Sequence, residues 1–333
     1  MDRVISSVVD ASMHGIRLDV CLSERFTYHS RNQWQNEIKN GKVSVNGTYP
    51  RASRKLKEGD EIIYASERGE PPVDLHFRII YEDDDILLVD KSPNLPCHPA
   101  GPYFNNTLWA ALRKTCAEVH FVMRLDRETS GLTLIAKSAE IAARFADRHS
   151  FVEDGAENDL ITMKKYLCLV FGDFPSKMVA EGFLSDRGET GDPNVVRKKR
   201  LFSKISEKGK AGESARTIFR KFANLANPET GDPVSLLQVE LDTGRTHQIR
   251  ATLCSLGYPL LGDKLYGPDE SIFIRFIDGK MTLEDEKQLI LPTQALHSHQ
   301  IRLKHPRTEE VMLFEAPVPA RWNAVIKETQ FLT

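Results

Sequence analysis

Asp126 is the first residue to weigh for chemistry. It lies between Arg124 and Arg127 in residues 121–138, FVMRLDRETSGLTLIAKS. An aspartate held between guanidiniums stays ionised even in a partly dry cleft. An ionised carboxylate can act as a nucleophile or as a general base, and the residue types leave both open. An ion pair beside a strand would use the same residues. Three other groups qualify. Tyr166 leads the apolar run 164–172, KKYLCLVFG, either as a reacting-site aromatic or as an ordinary strand-start ring. Arg245, Thr246, His247 and Gln248 open an apolar-periodic stretch after Asp-Thr-Gly, and a helix N-terminus there would suit an anion or be a plain cap. His297, His299 and His305 could suggest a metal. Positions i and i+2 share a strand face, but no cysteine or third spaced ligand completes a set, so no metal is expected.

The elements that must position these groups follow from periodicity. Residues 132–136 (LTLIA) alternate and carry β-formers, and Gly131 supplies a backbone hinge where the charged turn enters that strand. Strands are expected at 79–81, 86–89, 164–171 and 234–241, and helices at 107–116, 139–149 and 246–256, with Ile249 and Leu253 inward on the last. Residues 186–212 lack apolar periodicity and read as a long basic surface insertion.

Residues 15–65 read as a separate small domain behind a 1–14 extension. It has an amphipathic opening, a helix from Ser30 to about Asn40 stopped by Gly41, a strand ending in Asn46-Gly47, and a last strand at 61–64. Residues 66–74, SERGEPPVD, are the expected linker, and 75–333 the large domain. Between 31 and 57 stand seven Lys or Arg (Arg31, Lys39, Lys42, Arg51, Arg54, Lys55, Lys57) against Glu37 alone, a local net of +6. Residues 197–221 hold ten against two glutamates, a net of +8. On a 333-residue chain of net charge −2, such patches rather than the whole molecule would meet a polyanion. No apolar run approaches membrane-spanning length and no signal peptide is expected. Five scattered cysteines without a CxxC point to reduced thiols in a cytoplasmic protein.

Taken in order, four strings resemble the motifs of RluA-type pseudouridine synthases. They are the Lys91–Pro93 and His98-Pro99 loop, the MRLDRETSG run, Lys164, Tyr166, Val170 and Gly172, and TGRTHQIR continued by LGYPLLGDKLYG; Leu296-His297 and His305-Pro306 then match a final strand. His98 is expected to order its loop rather than to react. Residues 30–47 resemble the alpha-L RNA-binding domain, which implies structured RNA recognised by shape and backbone. The resemblance implies an α+β fold, a large mixed, mainly antiparallel sheet with flanking helices and a central cleft.

It also implies isomerisation of uridine to pseudouridine in RNA, ribosomal rather than transfer RNA, without cofactor, metal or obligate protein partner. Asp126 would act at the sugar, Arg250 would keep it charged and aimed, and Tyr166 would stack on the flipped base. Arg124 would fill the gap that the base leaves. Arg245, Thr246, His247, Gln248, Ile249 and Leu134 would contact substrate or wall the pocket, while Arg31, Lys39, Lys42, Arg51, Arg54 and Lys55 would contact RNA. The family usually has histidine where this chain has Met123, read as altered packing. A binder that kept the fold without catalysis is the contrasting possibility, and it would have no need of Asp126, Tyr166 and Arg250 together.

Overall fold

The computed structural model describes residues 3–26, 31–66, 70–100, 102–146, 160–187, 199–204 and 212–326. The chain divides into two compact units, Met1–Val73 with His98–Ala111, and Asp74–Cys97 with Leu112–Thr333.

In the first unit, β1 (Arg3–Val8), β3 (Glu61–Ser66) and β2 (Val43–Val45) form an antiparallel sheet in the order β1-β3-β2, with α1 (Leu18–Arg25) and α2 (Arg31–Lys39) packed on it. Trp34 and Ile38, four apart on α2, meet Leu18, Cys21 and Leu22 of α1 and Val43, Val45 and Ile62 of the sheet. Asn46 and Gly47 both take positive φ, 51° and 72°, which is the tight turn that Asn-Gly promises. The N-terminal residues read as an extension are corrected here, since 3–8 form the edge strand β1. Two serines interrupt that run, so its alternation is weak. The short helix α3 (Leu108–Leu112) also falls mainly in this unit. The expected Ser30 cap and residues 67–69 of the expected linker lie outside the described residues.

The second unit is built on β4 (Phe77–Glu82), β5 (Ile86–Lys91), β6 (His120–Phe121), β7 (Ser130–Ala136), β8 (Ile161–Phe171), β9 (Lys177–Asp186), β10 (Arg200–Ser203), β11 (Glu213–Ala226), β12 (Pro233–Leu241), β13 (Leu296–Lys304) and β14 (Val311–Glu315). These form one mixed, mainly antiparallel sheet in the order β10-β9-β11-β12-β8-β13-β7-β5-β4, with β14 beside β13 and β6 beside β7. Helices α4 (Ala139–Ala146), α5 (Gln248–Ser255), α6 (Ser271–Ile277) and α7 (Leu283–Leu289) accompany the strands. The fold class is therefore the α+β arrangement expected.

Residues 186–212, read as an irregular insertion, need correction in part. β10 lies within them and pairs with β9, and Lys199 and Arg200 are buried. Residues 188–198 and 205–211 of that stretch lie outside the described set, as do 147–149 of the expected α4 and the acidic run 151–159.

One crossing positions the site. β7 and β13 run parallel and pair only at His297 with Ser130 and Ser298 with Gly131, while Ser298 also pairs with Tyr166 of β8. Tyr166 is thus two strands from the end of the Asp126 turn. Gly131, at φ +101°, allows this, because a Cβ there would stand 2.3 Å from the Ser298 carbonyl oxygen. Gly131→Ala should lower the unfolding free energy by about 3 kcal/mol, from strained φ and backbone overlap together. Denaturant unfolding measures it, and a change under 1 kcal/mol would mean that the crossing can open.

Candidate active site

Asp126 opens a tight turn whose Thr129 N–H donates to the Asp126 carbonyl at 3.1 Å. The turn is pinned from outside: Leu95 N–H and the buried Lys91 ammonium both donate to the Arg127 carbonyl at 3.1 Å, and Cys97 Sγ bonds the Leu125 backbone. Burial lowers Lys91 to about 8. Met123 packs partly buried against the apolar cluster of β5 and β7, and its carbonyl accepts from Thr133 Oγ1 at 2.6 Å.

Arg250 faces this turn from α5. Its Nη1 donates to Asp126 Oδ2 at 2.6 Å, while Nε and Nη2 donate to the two oxygens of Asp263 at 2.7 and 2.9 Å. One rigid fork therefore serves two carboxylates, a task that lysine could not perform. Arg250 is 7% exposed, and its guanidinium lies over the Tyr266 ring, 4.9 Å from the centroid. Asp263 is buried and also accepts from the Leu265 and Tyr266 N–H groups. Burial pushes both carboxyls up, but the groups facing them, Arg250 first, outweigh it and hold each below the usual carboxylate range. Asp126 keeps 30% of its side chain exposed, so the charge faces an open space.

That space is a cleft lined by Arg124, Asp126, Tyr166, Arg245, His247, Gln248, Ile249 and Arg250, with Leu125, Leu241 and Leu296 supplying apolar wall. Burial raises the Tyr166 phenol to about 12, so at neutral pH it offers an uncharged ring and hydroxyl rather than a phenolate base. An ionised carboxylate, a fixed guanidinium and a neutral aromatic face in one cleft can bind a flat heterocycle and attack or deprotonate beside it.

Some residues expected to line the cleft stand elsewhere or are otherwise engaged. Leu134 does not wall the cleft; β7 is buried on both faces, and Leu134 joins Leu132, Ile86, Leu88 and Ile301 in a separate apolar cluster. Thr246 is absent from the lining, and its carbonyl accepts from Arg200. Gln248 touches the cleft, but its amide is committed to the chain: Oε1 accepts from Arg245 N–H and Thr243 Oγ1, and Nε2 donates to Thr217 Oγ1. Asp263 and Tyr266 stand in the LGDKLYG string with no role assigned from sequence. Nothing local marks them, because Arg250 comes from α5 and His247 from the residue that caps it.

The three candidate histidines, two on β13 and His305 just after it, do not converge. His297 Nδ1 is 2.9 Å from Ser130 Oγ, His299 bonds the Ala316 carbonyl, and His305 Nε2 meets Asp83. Among the described residues no group of three metal-binding side chains forms. His297 is 1% exposed, and burial lowers its imidazole to about 3. Unfolded histidine takes up a proton near pH 6.5 while folded His297 refuses it, so stability is lost as pH falls from 6.5 towards 3, at up to about 1.4 kcal/mol per pH unit. Burial also pushes His247 below its ordinary value, in the same direction. His297→Gln should flatten the dependence between pH 6.5 and 5 without abolishing it; equal slopes in denaturant titrations would contradict the assignment.

The expected RNA-contacting cations of the first unit are not equivalent. Lys39 and Arg51 line a groove with Arg17, Gln35 and Tyr49, the last 72% exposed. Arg31 pairs with Asp19 at 3.0 Å, Arg54 with Asp60 at 3.6 Å and Lys42 with Glu37 at 3.5 Å, whereas Lys55 is exposed. Counting charge over 31–57 missed Asp19 and Asp60, which fold back from outside that window. The basic run 197–221 is reduced likewise, with Lys199 on Glu270, Arg200 on Glu213, Arg216 on Asp242 and Lys221 on Asp173.

Residues 85–255 match the RNA pseudouridylate synthase family. The chain is 31% identical to ribosomal large subunit pseudouridine synthase D of Pasteurella multocida, over 97% of this chain and 94% of that one. It is 30% identical to an RNA pseudouridine synthase of Bacillus subtilis, YlyB, over 91% and 90%. Its fold is similar to that of human RNA pseudouridylate synthase domain containing 1, with a TM-score of 0.55 at 21% identity over 77% of this chain and 91% of that one. No helix among the described residues is long and apolar enough to cross a membrane.

Proposed function

The chain belongs to the RNA pseudouridylate synthase family, of the RluA type, and on that premise we propose that it converts uridines of large-subunit ribosomal RNA to pseudouridine in the cytoplasm, with Asp126 as the reacting group. The observation that carries this reading is the 2.6 Å pair between Arg250 and an Asp126 that stays open to the cleft beside Tyr166. The target base must leave the RNA stack, at a cost of a few kcal/mol, and Arg124 at the cleft mouth is suited to occupy the gap. Asp126 then attacks C1′ or takes a ribose proton as the N1–C1′ bond breaks. Tyr166 and Ile249 retain the detached uracil while it turns. C5 then bonds to C1′ as the Asp126–C1′ bond breaks, or as Asp126 returns the ribose proton. The C5 proton departs to solvent, and N1 takes up a proton in its place. Reactant and product have the same atoms, so the net reaction consumes no co-substrate.

Ribosomal RNA is favoured over transfer RNA because several relatives, that of Pasteurella multocida among them, are named for the ribosomal large subunit. Incubating an unmodified large-subunit transcript with the protein and mapping pseudouridine tests the reading. Discrete new sites are expected; conversion confined to transfer RNA would overturn the substrate class.

The first unit is read as an alpha-L-type RNA-binding domain, with its basic groove contacting phosphates. Lys39→Ala with Arg51→Ala should lower the slope of log affinity against log salt by about 1.4, at roughly 0.7 per lost contact on single-stranded RNA. An unchanged slope would remove this groove from the RNA footprint.

A further inference from the structure

A tyrosine hydroxyl fixes the proton position on a histidine beside Asp126. Tyr266 is buried, and its Oη accepts from the Arg200 backbone N–H at 2.9 Å. Among the described residues its other hydrogen-bond partner is His247 Nδ1, at 3.0 Å. A backbone N–H can only donate, so the phenolic O–H is left to donate to Nδ1. The reverse assignment would leave a buried O–H unmatched, which is disfavoured. With Nδ1 accepting, the neutral imidazole carries its proton on Nε2.

That nitrogen lies 3.8 Å from Asp126 Oδ1, the carboxylate oxygen opposite the one that Arg250 holds. The backbone is strained to put it there. His247 has φ 57° and ψ 19°, a left-handed conformation that glycine would adopt more easily. Glycine would relieve the strain but lose the imidazole. Burial opposes a charge on the ring, and Arg250 and Arg200 nearby act with it against Asp126 and Asp263.

We propose that His247 is a positioning residue for Asp126: an imidazole locked by Tyr266 in its Nε2–H form, whose N–H steers the carboxylate oxygen that Arg250 leaves free. This rests on the reading of Asp126 as the reacting group. The 3.8 Å separation is too long for a hydrogen bond in the free protein, and catalytic contacts of this kind often shorten in the substrate complex. A neutral donor aims the oxygen without cancelling its charge.

Imidazole ¹⁵N NMR of the intact protein at pH 7 tests the lock without any activity. His247, assigned by its loss in His247→Gln, should show Nδ1 as acceptor and Nε2 protonated, and Tyr266→Phe should mix the two tautomers. A cationic ring, or a proton on Nδ1, would overturn the proposal. In kinetics, His247→Ala should lower kcat about 10²-fold with KM for RNA within twofold, as loss of alignment does. His247→Gln, whose amide N–H can reach the same place, should stay within about tenfold of wild type, as the loss of one aligning contact allows. A His247→Ala kcat within twofold of wild type, or a His247→Gln as slow as the alanine variant, removes the role. Asp126→Asn run alongside separates the two claims: turnover retained there removes the reading of Asp126, whereas turnover lost there but kept in His247→Ala removes only that of His247.

Discussion

Asp126→Asn should bind RNA within about threefold of wild type and lose turnover by about 10⁴-fold or more, the scale seen when an essential carboxylate or nucleophile is deleted. Asparagine has the shape of aspartate, and its amide oxygen can still accept from Arg250 Nη1. What disappears is the negative charge and the basic lone pair aimed into the cleft. Fold and affinity should survive, because Asp263 still holds Arg250 through two hydrogen bonds. Anisotropy titration measures the affinity and pseudouridine mapping the conversion. Retained conversion would mean that another group reacts.

Arg250→Ala should damage both stability and chemistry. It leaves Asp263, with no exposed surface, without a countercharge, and breaking such a buried pair by removing one partner costs about 3–5 kcal/mol. It also frees Asp126 from the 2.6 Å contact that aims it. The double variant Arg250→Met with Asp263→Leu removes the buried charges together, so it should recover much of the stability and none of the turnover. Denaturant unfolding separates the outcomes. An Arg250→Ala protein as stable as wild type would show that Asp263 is neutral in the folded chain.

The sheet class, Asp126, Tyr166 and Arg250 were legible because each sits in a string where local pattern and motif coincide. Alternation gives β7, the apolar run gives β8, and the resemblance of TGRTHQIR to the family's motif singles out Arg250. The failures share one physical source, since each depends on what a neighbouring element contributes. Leu134 alternates correctly, but β7 is covered on both sides, and alternation alone does not say which covered side holds the cleft. Arg31 and Arg54 counted as free charge because Asp19 and Asp60 reach them only after folding. β10 was hidden in a charged stretch because Lys199 and Arg200 are buried against Glu270 and Glu213 rather than exposed. Asp263 and Tyr266 acquire meaning only when Arg250 arrives from α5 and His247 from its N-cap. Local sequence thus reported periodicity well and long-range charge pairing poorly.

Pseudouridine formation must replace the hydrogen on C5 of uracil with a bond to C1′, so release of that hydrogen reports the bond exchange itself. Single-turnover tritium release from large-subunit RNA labelled with [5-³H]uridine, comparing wild type with RNA-saturated Asp126→Asn, is the most direct measurement. Stoichiometric release at the modified sites is expected from wild type, and none above background from the variant. Release by the variant at a rate near that of wild type would contradict a reacting Asp126.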